Sequence, residues 1–327
     1  MNSHIPARPT RWCAVSAGRL VSRPLLAMAF AMFPLVFQAQ VSDSARKPDS
    51  AGNRKVSHFA FDWRKGMIFV PVRINGSSPL AFVLDTGSTK MLLDSSVATA
   101  LGLKPVGAGS LQGAGAGSIA TKFIHDVSIG LPGIDSAGYE FSTADLEPLR
   151  TSLGVKVDGI LGYEFLSRFV VTVDFESRNL TVVQPEAFHS NGSEQELPIE
   201  LRNKWPFVKG ELVLPGPVTV QDSFLIDSGS SDAVDHPIVM DLQSRVASTS
   251  GVGIGTPIQG ATARATSFRL GRYSIAAPIV SCCGATDATS RLIGNDVLQR
   301  FTVTFDYPSS RIFLAPNAHF PKSPDRN

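Results

Sequence analysis

Two aspartates stand out for what flanks them. Leu80–Thr89 reads LAFVLDTGST and Asp222–Ser231 reads DSFLIDSGSS. Aligned on Asp85 and Asp227, which lie 142 residues apart, both run Phe, two aliphatics, Asp, a hydroxyl residue, Gly, Ser, a hydroxyl residue. Apolar residues running into Asp predict a buried strand that ends by presenting a carboxylate on a tight turn, with glycine supplying a permissive backbone. One Asp-hydroxyl-Gly tripeptide carries little weight, because chance yields roughly 0.1–0.2 in a chain of this length. Two with matched flanks carry much more. Carboxylates held about 3 Å apart cannot both ionise at modest cost, so they share a proton and titrate as a pair. The ionised member can then take a proton from water while the neutral member polarises a carbonyl.

A second echo supports the first. Gly162–Ser177, GYEFLSRFVVTVDFES, superposes on Gly294–Ser309, GNDVLQRFTVTFDYPS, with 8 of 16 positions identical at an offset of 132. Each copy follows two aliphatics, giving Ile160-Leu161-Gly162 and Leu292-Ile293-Gly294. The chain therefore reads as an internal duplication with one motif order in both halves. From Asp to Gly the first half runs 77 residues (85 to 162) and the second 67 (227 to 294). Two such halves can bring Asp85 and Asp227 together at a pseudo-two-fold axis.

These motifs resemble the pepsin/retropepsin clan of aspartic proteases, each half being similar to the bacterial retropepsin-like aspartyl protease domain. The matching pieces are the Asn75-Gly76 hairpin, FVLDTGST, Ala100–Leu103, DGILGYEFL and FVVTVDFESRNLTV in the first half, then FLIDSGSS, LIGNDVL and FTVTFDYPSSRIFL in the second. Together they span about Ser57 to Pro316. The resemblance implies an all-β, two-lobed, pepsin-like double β-barrel with pseudo-two-fold symmetry and a few short helices. It implies a hydrolase, an aspartic-type endopeptidase acting on polypeptide with Asp85 and Asp227 as the catalytic pair. It further implies that Thr86 and Ser228 cross-link the two Asp loops through backbone groups. Ser88 and Ser230 would hydrogen-bond the outer carboxylate oxygens. Gly87 and Gly229 would let the turns close, and Gly162 and Gly294 would clear a path beneath the pair. Two departures pull toward the bacterial type: pepsins carry a tyrosine on the flap, whereas Gly107–Thr121 has none, and the pepsin disulfides are missing.

The elements that must position this pair follow in chain order. Residues 1–39 carry Arg8, Arg11, Arg19 and Arg23, no acid, and the 13-residue apolar run Leu25–Phe37. That is signal-peptide length, short of the ~20 residues of a membrane span. The readings are a signal peptide or an uncleaved N-terminal anchor, and both predict export, to the periplasm or beyond. Without those arginines the formal charge falls from +2 to −2, so nothing argues for nucleic acid. Residues 40–56 read as linker, 57–188 as the first lobe, 189–197 as the joint, 198–318 as the second lobe and 319–327 as a tail. Within the first lobe, alternating apolar residues around Asn75-Gly76 predict a hairpin. Asp94–Gly102 predicts a short helix with an Asp or Ser cap and a Gly stop. Glycine-rich Gly107–Thr121 is a linker or, within a duplicated β domain, a mobile hairpin; Gly251–Gly260 is its candidate partner. Asp232 and Asp235 read as solvated, although facing a cleft they would raise the pair's pKa values.

Other chemistries find no footing. H-E-x-x-H, G-x-S-x-G and C-x-x-C are absent, and the six histidines show no paired ligand spacing. His125 and His236 read as structural, and Cys282-Cys283 as a buried strand pair. No metal or cofactor is implied, and the expected state is a monomer. Two rival readings stay open: a silent pepsin-fold binder of peptides or glycans, and a protease active only as a homodimer of first lobes.

Overall fold

The computed structural model describes residues 55–113, 118–216, 218–250, 258–282 and 290–320. The expected leader, nearly all of the linker, Cys283, the middle of the first glycine-rich stretch, the first seven residues of the second and the end of the tail lie outside these residues. The fold is all-β and two-lobed, with short helices at Ser95–Ala100, Glu147–Leu153, Tyr163–Leu166 and Asn295–Leu298.

Local sequence explains the first hairpin. Strands Met67–Ile74 and Leu80–Leu84 pair antiparallel, and the link between them puts Asn75 at φ 49° and Gly76 at φ 77°. Both lie in the left-handed region that Asn and Gly tolerate best. The helix Ser95–Ala100 begins where expected: Asp94 is its cap, accepting from the Ser96 and Val97 N–H groups. Gly102, at φ 67°, follows its end.

Each lobe then repeats one pairing scheme. In the first, Leu80–Leu84 runs parallel to Gly159–Leu161, which runs antiparallel to Met91–Asp94, which in turn runs parallel to Ile134–Ala144. In the second, Val218–Ile226 runs parallel to Leu292–Ile293, that strand antiparallel to Val234–Asp235, and the latter parallel to Ile279–Cys282. The strand leading to each aspartate is thus paired with the aliphatic strand leading to each motif glycine. Around them the first lobe builds an 8-stranded sheet and the second a 10-stranded one.

A six-stranded sheet joins the lobes, three strands from each, in the order Val56–Ala60, Asn179–Val183, Val170–Asp174, Phe301–Asp306, Arg311–Pro316, Gln195–Pro198. At its centre Thr172 pairs with Thr304, flanked by Val171 opposite Phe305 and Val173 opposite Val303. These are residues related by the 132-residue offset, so the pseudo-two-fold axis passes between the threonines, whose hydroxyls are 2.8 Å apart. A two-fold contact must be reciprocal in this way. One buried apolar cluster, including Phe82, Phe165, Phe224 and Phe301, draws on both lobes.

Two stretches are more structured than expected. The joint ends in strand Gln195–Pro198, paired with Arg311–Pro316. Within the expected tail, the Phe320 ring packs at 5.6 Å from Tyr273 and 5.2 Å from Phe301. Both glycine-rich stretches are flanked by antiparallel strands, Val106–Leu111 with Ile119–Leu131 and Val246–Ser250 with Ile258–Arg264.

Candidate active site

The strand pairings bring Asp85 and Asp227 to the same point between the lobes. The Asp85 N–H donates to the Leu161 carbonyl at 3.0 Å and the Asp227 N–H to the Ile293 carbonyl at 2.9 Å. The two carboxyls face each other's loops, that of Asp227 lying against Gly87 and that of Asp85 against Gly229. Each keeps some surface open yet lies deep among protein atoms. Burial, then the negative charge of Asp227, pushes the Asp85 carboxyl well above its usual range, against the Gly87 and Ser88 N–H groups. Asp227 is also raised, by burial first and by Asp232, while the Gly229 N–H opposes the shift. Both carboxyls are thus raised, and the two titrate as a pair that shares a proton.

The residues after each aspartate lock the loops reciprocally. The Thr86 hydroxyl donates to the Ile226 carbonyl at 2.7 Å and accepts from the Ser228 N–H at 2.8 Å. The Ser228 hydroxyl donates to the Leu84 carbonyl at 2.8 Å and accepts from the Thr86 N–H at 3.0 Å. Both side chains are buried. Four such bonds contribute about 1 kcal/mol each, and each partner left unpaired would cost more.

Gly87 and Gly229 are required for space rather than for backbone freedom. Neither has a positive φ. A Cβ on Gly87 would lie 2.6 Å from the Asp227 Cγ, and one on Gly229 2.5 Å from the Asp85 Cγ. Each glycine thus makes room for the opposite carboxylate, and its N–H donates to its own aspartate's Oδ1 at 2.8 Å. Gly162 and Gly294 make room for the loops themselves. Their Cβ positions would run into the Lys90 and Asp232 carbonyls. The residues that follow, Tyr163 and Asn295, donate their N–H groups to the Ser88 and Ser230 carbonyls at 3.0 and 2.8 Å.

Ser88 and Ser230 correct the expectation from resemblance. The Ser88 hydroxyl donates to the Lys90 carbonyl at 2.8 Å, and the Ser230 hydroxyl accepts from the Asp232 N–H at 3.2 Å. Both hydroxyls close the turn locally and do not bond the outer carboxylate oxygens. Asp235 also departs from expectation: it is buried, and its Oδ1 has no hydrogen-bond partner. Burial, then Asp232 and Asp227, raise its carboxyl well above the usual range. Asp232 is raised by burial and by Asp296.

Three residues around the loops carried no signal beyond their type. The Trp205 indole N–H donates to the Gly87 carbonyl at 2.8 Å. The Tyr307 hydroxyl donates to the Thr86 carbonyl at 3.2 Å. Asn295 donates through Nδ2 to the Ser228 and Gly66 carbonyls, both at 2.7 Å, and its buried Oδ1 has no partner. Burial, then the charges of Asp85 and Asp227, push the Tyr307 hydroxyl well above its ordinary range, so it stays a donor. One clue was legible: Tyr307 stands where the echo at offset 132 has Phe175.

The remaining candidates lie elsewhere. His125 is exposed beside Glu140 at 3.2 Å. His236 is buried and accepts from the Ile238 N–H at 3.1 Å. Cys282 is buried in its strand. Among the described residues no group of three or more His, Cys, Asp or Glu could hold a metal ion, and no helix is long and apolar enough to cross a membrane.

Two β lobes thus meet at a facing pair of aspartates. Residues 70–165, which hold Asp85 and Gly162, match the model of a family described as aspartyl protease, and this supports a place in the aspartic protease clan. No curated protein matches the chain.

Proposed function

We propose that the protein is an exported, internally duplicated aspartic endopeptidase that works as a single chain. The observation that carries this reading is the facing of Asp85 and Asp227 on reciprocally locked loops, each carboxyl lying against the glycine of the other loop. A water held between the two carboxyls loses a proton to the ionised one and attacks the scissile carbonyl carbon. The protonated one donates to the carbonyl oxygen. The resulting gem-diol collapses with proton transfer to the leaving amine, so the C–N bond breaks without a covalent enzyme intermediate. The chemistry calls for no metal or cofactor, and the substrate is polypeptide. Export rests on the Arg-rich leader with its 13-residue apolar run, and common descent of the halves on the two echoes and the repeated strand order. A homodimer of first lobes loses its motive, because Asp85 already meets an aspartate of its own chain.

The test is cleavage of a peptide library by the purified chain from pH 3 to 8, beside Asp85→Ala, Asp227→Ala and a pepstatin-type inhibitor. Loss of cleavage in both variants is expected. Loss in Asp85→Ala alone would favour the first-lobe dimer, and a folded but silent wild type would favour a peptide- or glycan-binding protein.

A further inference from the structure

The two catalytic-loop carbonyls that follow the aspartates are equivalent in the two halves, but the side chains that hold them are not. The Thr86 carbonyl takes its hydrogen bond from the Tyr307 hydroxyl and the Ser228 carbonyl from Asn295 Nδ2. Each carbonyl belongs to a peptide group whose N–H, on Gly87 or Gly229, donates to the adjacent aspartate's Oδ1 at 2.8 Å. We propose that Tyr307 and Asn295 are positioning residues of the aspartate pair, orienting and polarising the two peptide groups that donate to it. The inference rests on the protease reading and adds residues that the aspartate motifs do not contain.

Three observations support it. A peptide group whose carbonyl accepts a hydrogen bond becomes a stronger N–H donor, and the gain is largest where water is excluded. Tyr307 and Asn295 are both buried. The orientation of the Asn295 amide is fixed by its neighbours: rotation would set its oxygen against two carbonyl oxygens, at Ser228 and Gly66. It keeps this bridge although Oδ1 is left without a partner in a buried place, which a residue there only for stability would have reason to avoid. The halves also give no help to one another. At offset 132, Tyr307 corresponds to Phe175, which has no hydroxyl, and Asn295 to Tyr163, whose ring packs 6.1 Å from that of Tyr307. Both holding residues therefore come from the second lobe, one for each loop. Trp205, also from the second lobe, donates to the next carbonyl of the same loop, that of Gly87.

The titratable neighbours of the pair are Asp232 and Asp235 from the segment after Asp227, and Tyr307 with Tyr163 behind it. Asn295→Ala changes none of them, and Tyr307→Phe removes a group that is neutral throughout the working range. The experiment is kcat and KM against pH for Tyr307→Phe, Asn295→Ala and a matched control, Tyr273→Phe. The control deletes another second-lobe hydroxyl that donates to a backbone carbonyl, that of Leu314 at 3.3 Å, within a buried cluster. Tyr307→Phe is expected to lower kcat about three- to tenfold with KM within twofold. The acid limb of its kcat profile should move to higher pH, because a weaker N–H stabilises the carboxylate less. Asn295→Ala should act in the same direction; if it does not fold, Tyr307→Phe decides. Changes no larger than those of Tyr273→Phe, in kcat and in the acid limb, would overturn the proposal. A wild type that cleaves nothing would remove the protease reading but leave a second readout: the ¹³C carboxyl titration of Asp85 and Asp227, assigned with Asp85→Asn and Asp227→Asn. An upward shift of its lower midpoint in Tyr307→Phe supports the positioning role, and an unmoved midpoint overturns it.

Discussion

The loops carrying Asp85 and Asp227 are close copies, while the segments just beyond them have diverged. At offset 142, Lys90 of the first lobe corresponds to Asp232, Leu93 to Asp235 and Asp94 to His236. Asp94 caps a helix, Ser95–Ala100, and pairs with Arg150 at 2.9 Å. His236 caps a 3₁₀ turn, Pro237–Asp241, through its ring nitrogen and sits 3.5 Å from Asp222. The same structural task, starting a short helix after the aspartate loop, is thus done by an anion in one lobe and a neutral ring in the other. The difference shows which features are under geometric constraint. Wherever a residue faces its counterpart across the axis, the halves agree. Where it faces only its own lobe, side-chain chemistry is free to change.

The largest effect should come from the facing glycines. Gly87→Ala and Gly229→Ala each drive a methyl into the opposite carboxylate, and both are expected to lower kcat at least about a hundredfold. Peptide cleavage beside thermal unfolding checks this, and a tolerated alanine at either position would break the symmetry of the site. Next come the locking hydroxyls. Thr86→Val and Ser228→Ala each remove two buried hydrogen bonds and leave their partners unpaired, so each should cost about 2–4 kcal/mol in urea unfolding. The double variant should lose less than the sum, since the two residues share bonds.

The capping residues sharpen the contrast between lobes. Burial alone would raise Asp94, but Ser96, the Leu146 N–H and Arg150 outweigh it and hold the carboxyl below its usual value. Its contribution is therefore present above the unfolded value of about 4 and lost as pH falls through the folded one. Asp94→Asn should cost about 1–2 kcal/mol at pH 7, with the difference from wild type shrinking as pH falls below about 4. Burial and Arg291 lower His236 against the pull of Asp222. Its contribution is also present above its unfolded value, here about 6.5, and is lost as pH falls through the folded value. The second lobe should therefore begin to weaken at a higher pH than the first, which hydrogen exchange at pH 7 and 5 would resolve.

The smallest effect is expected at Asp235. Its raised carboxyl is harmless below the unfolded value of about 4 and destabilising as pH rises through the folded one. Asp235→Leu, which restores the residue found at Leu93, should gain about 1 kcal/mol at pH 7 and little at pH 3. Equal gains at both values would mean that packing rather than charge sets the penalty.

The sequence by itself determined the two aspartates, the glycines that flank them and the aliphatic strands beneath, because these motifs recur within one chain at fixed offsets. It also determined the Asn75-Gly76 turn and the Asp94 cap, which depend on residues only a few positions apart. The threonine and serine of the aspartate loops were legible as partners, though only through resemblance. What the tertiary structure alone decided is where polar side chains point once the lobes close. The Ser88 and Ser230 hydroxyls turn to their own loops, Asp235 goes inside, and Tyr307, Asn295 and Trp205 of the second lobe donate to the aspartate loops. The contacts of Trp205 and Tyr307 with the first aspartate loop join residues 118 and 221 positions apart. No local pattern encodes such a contact, because its geometry is set by how two packed lobes meet and not by the turn in which either residue sits.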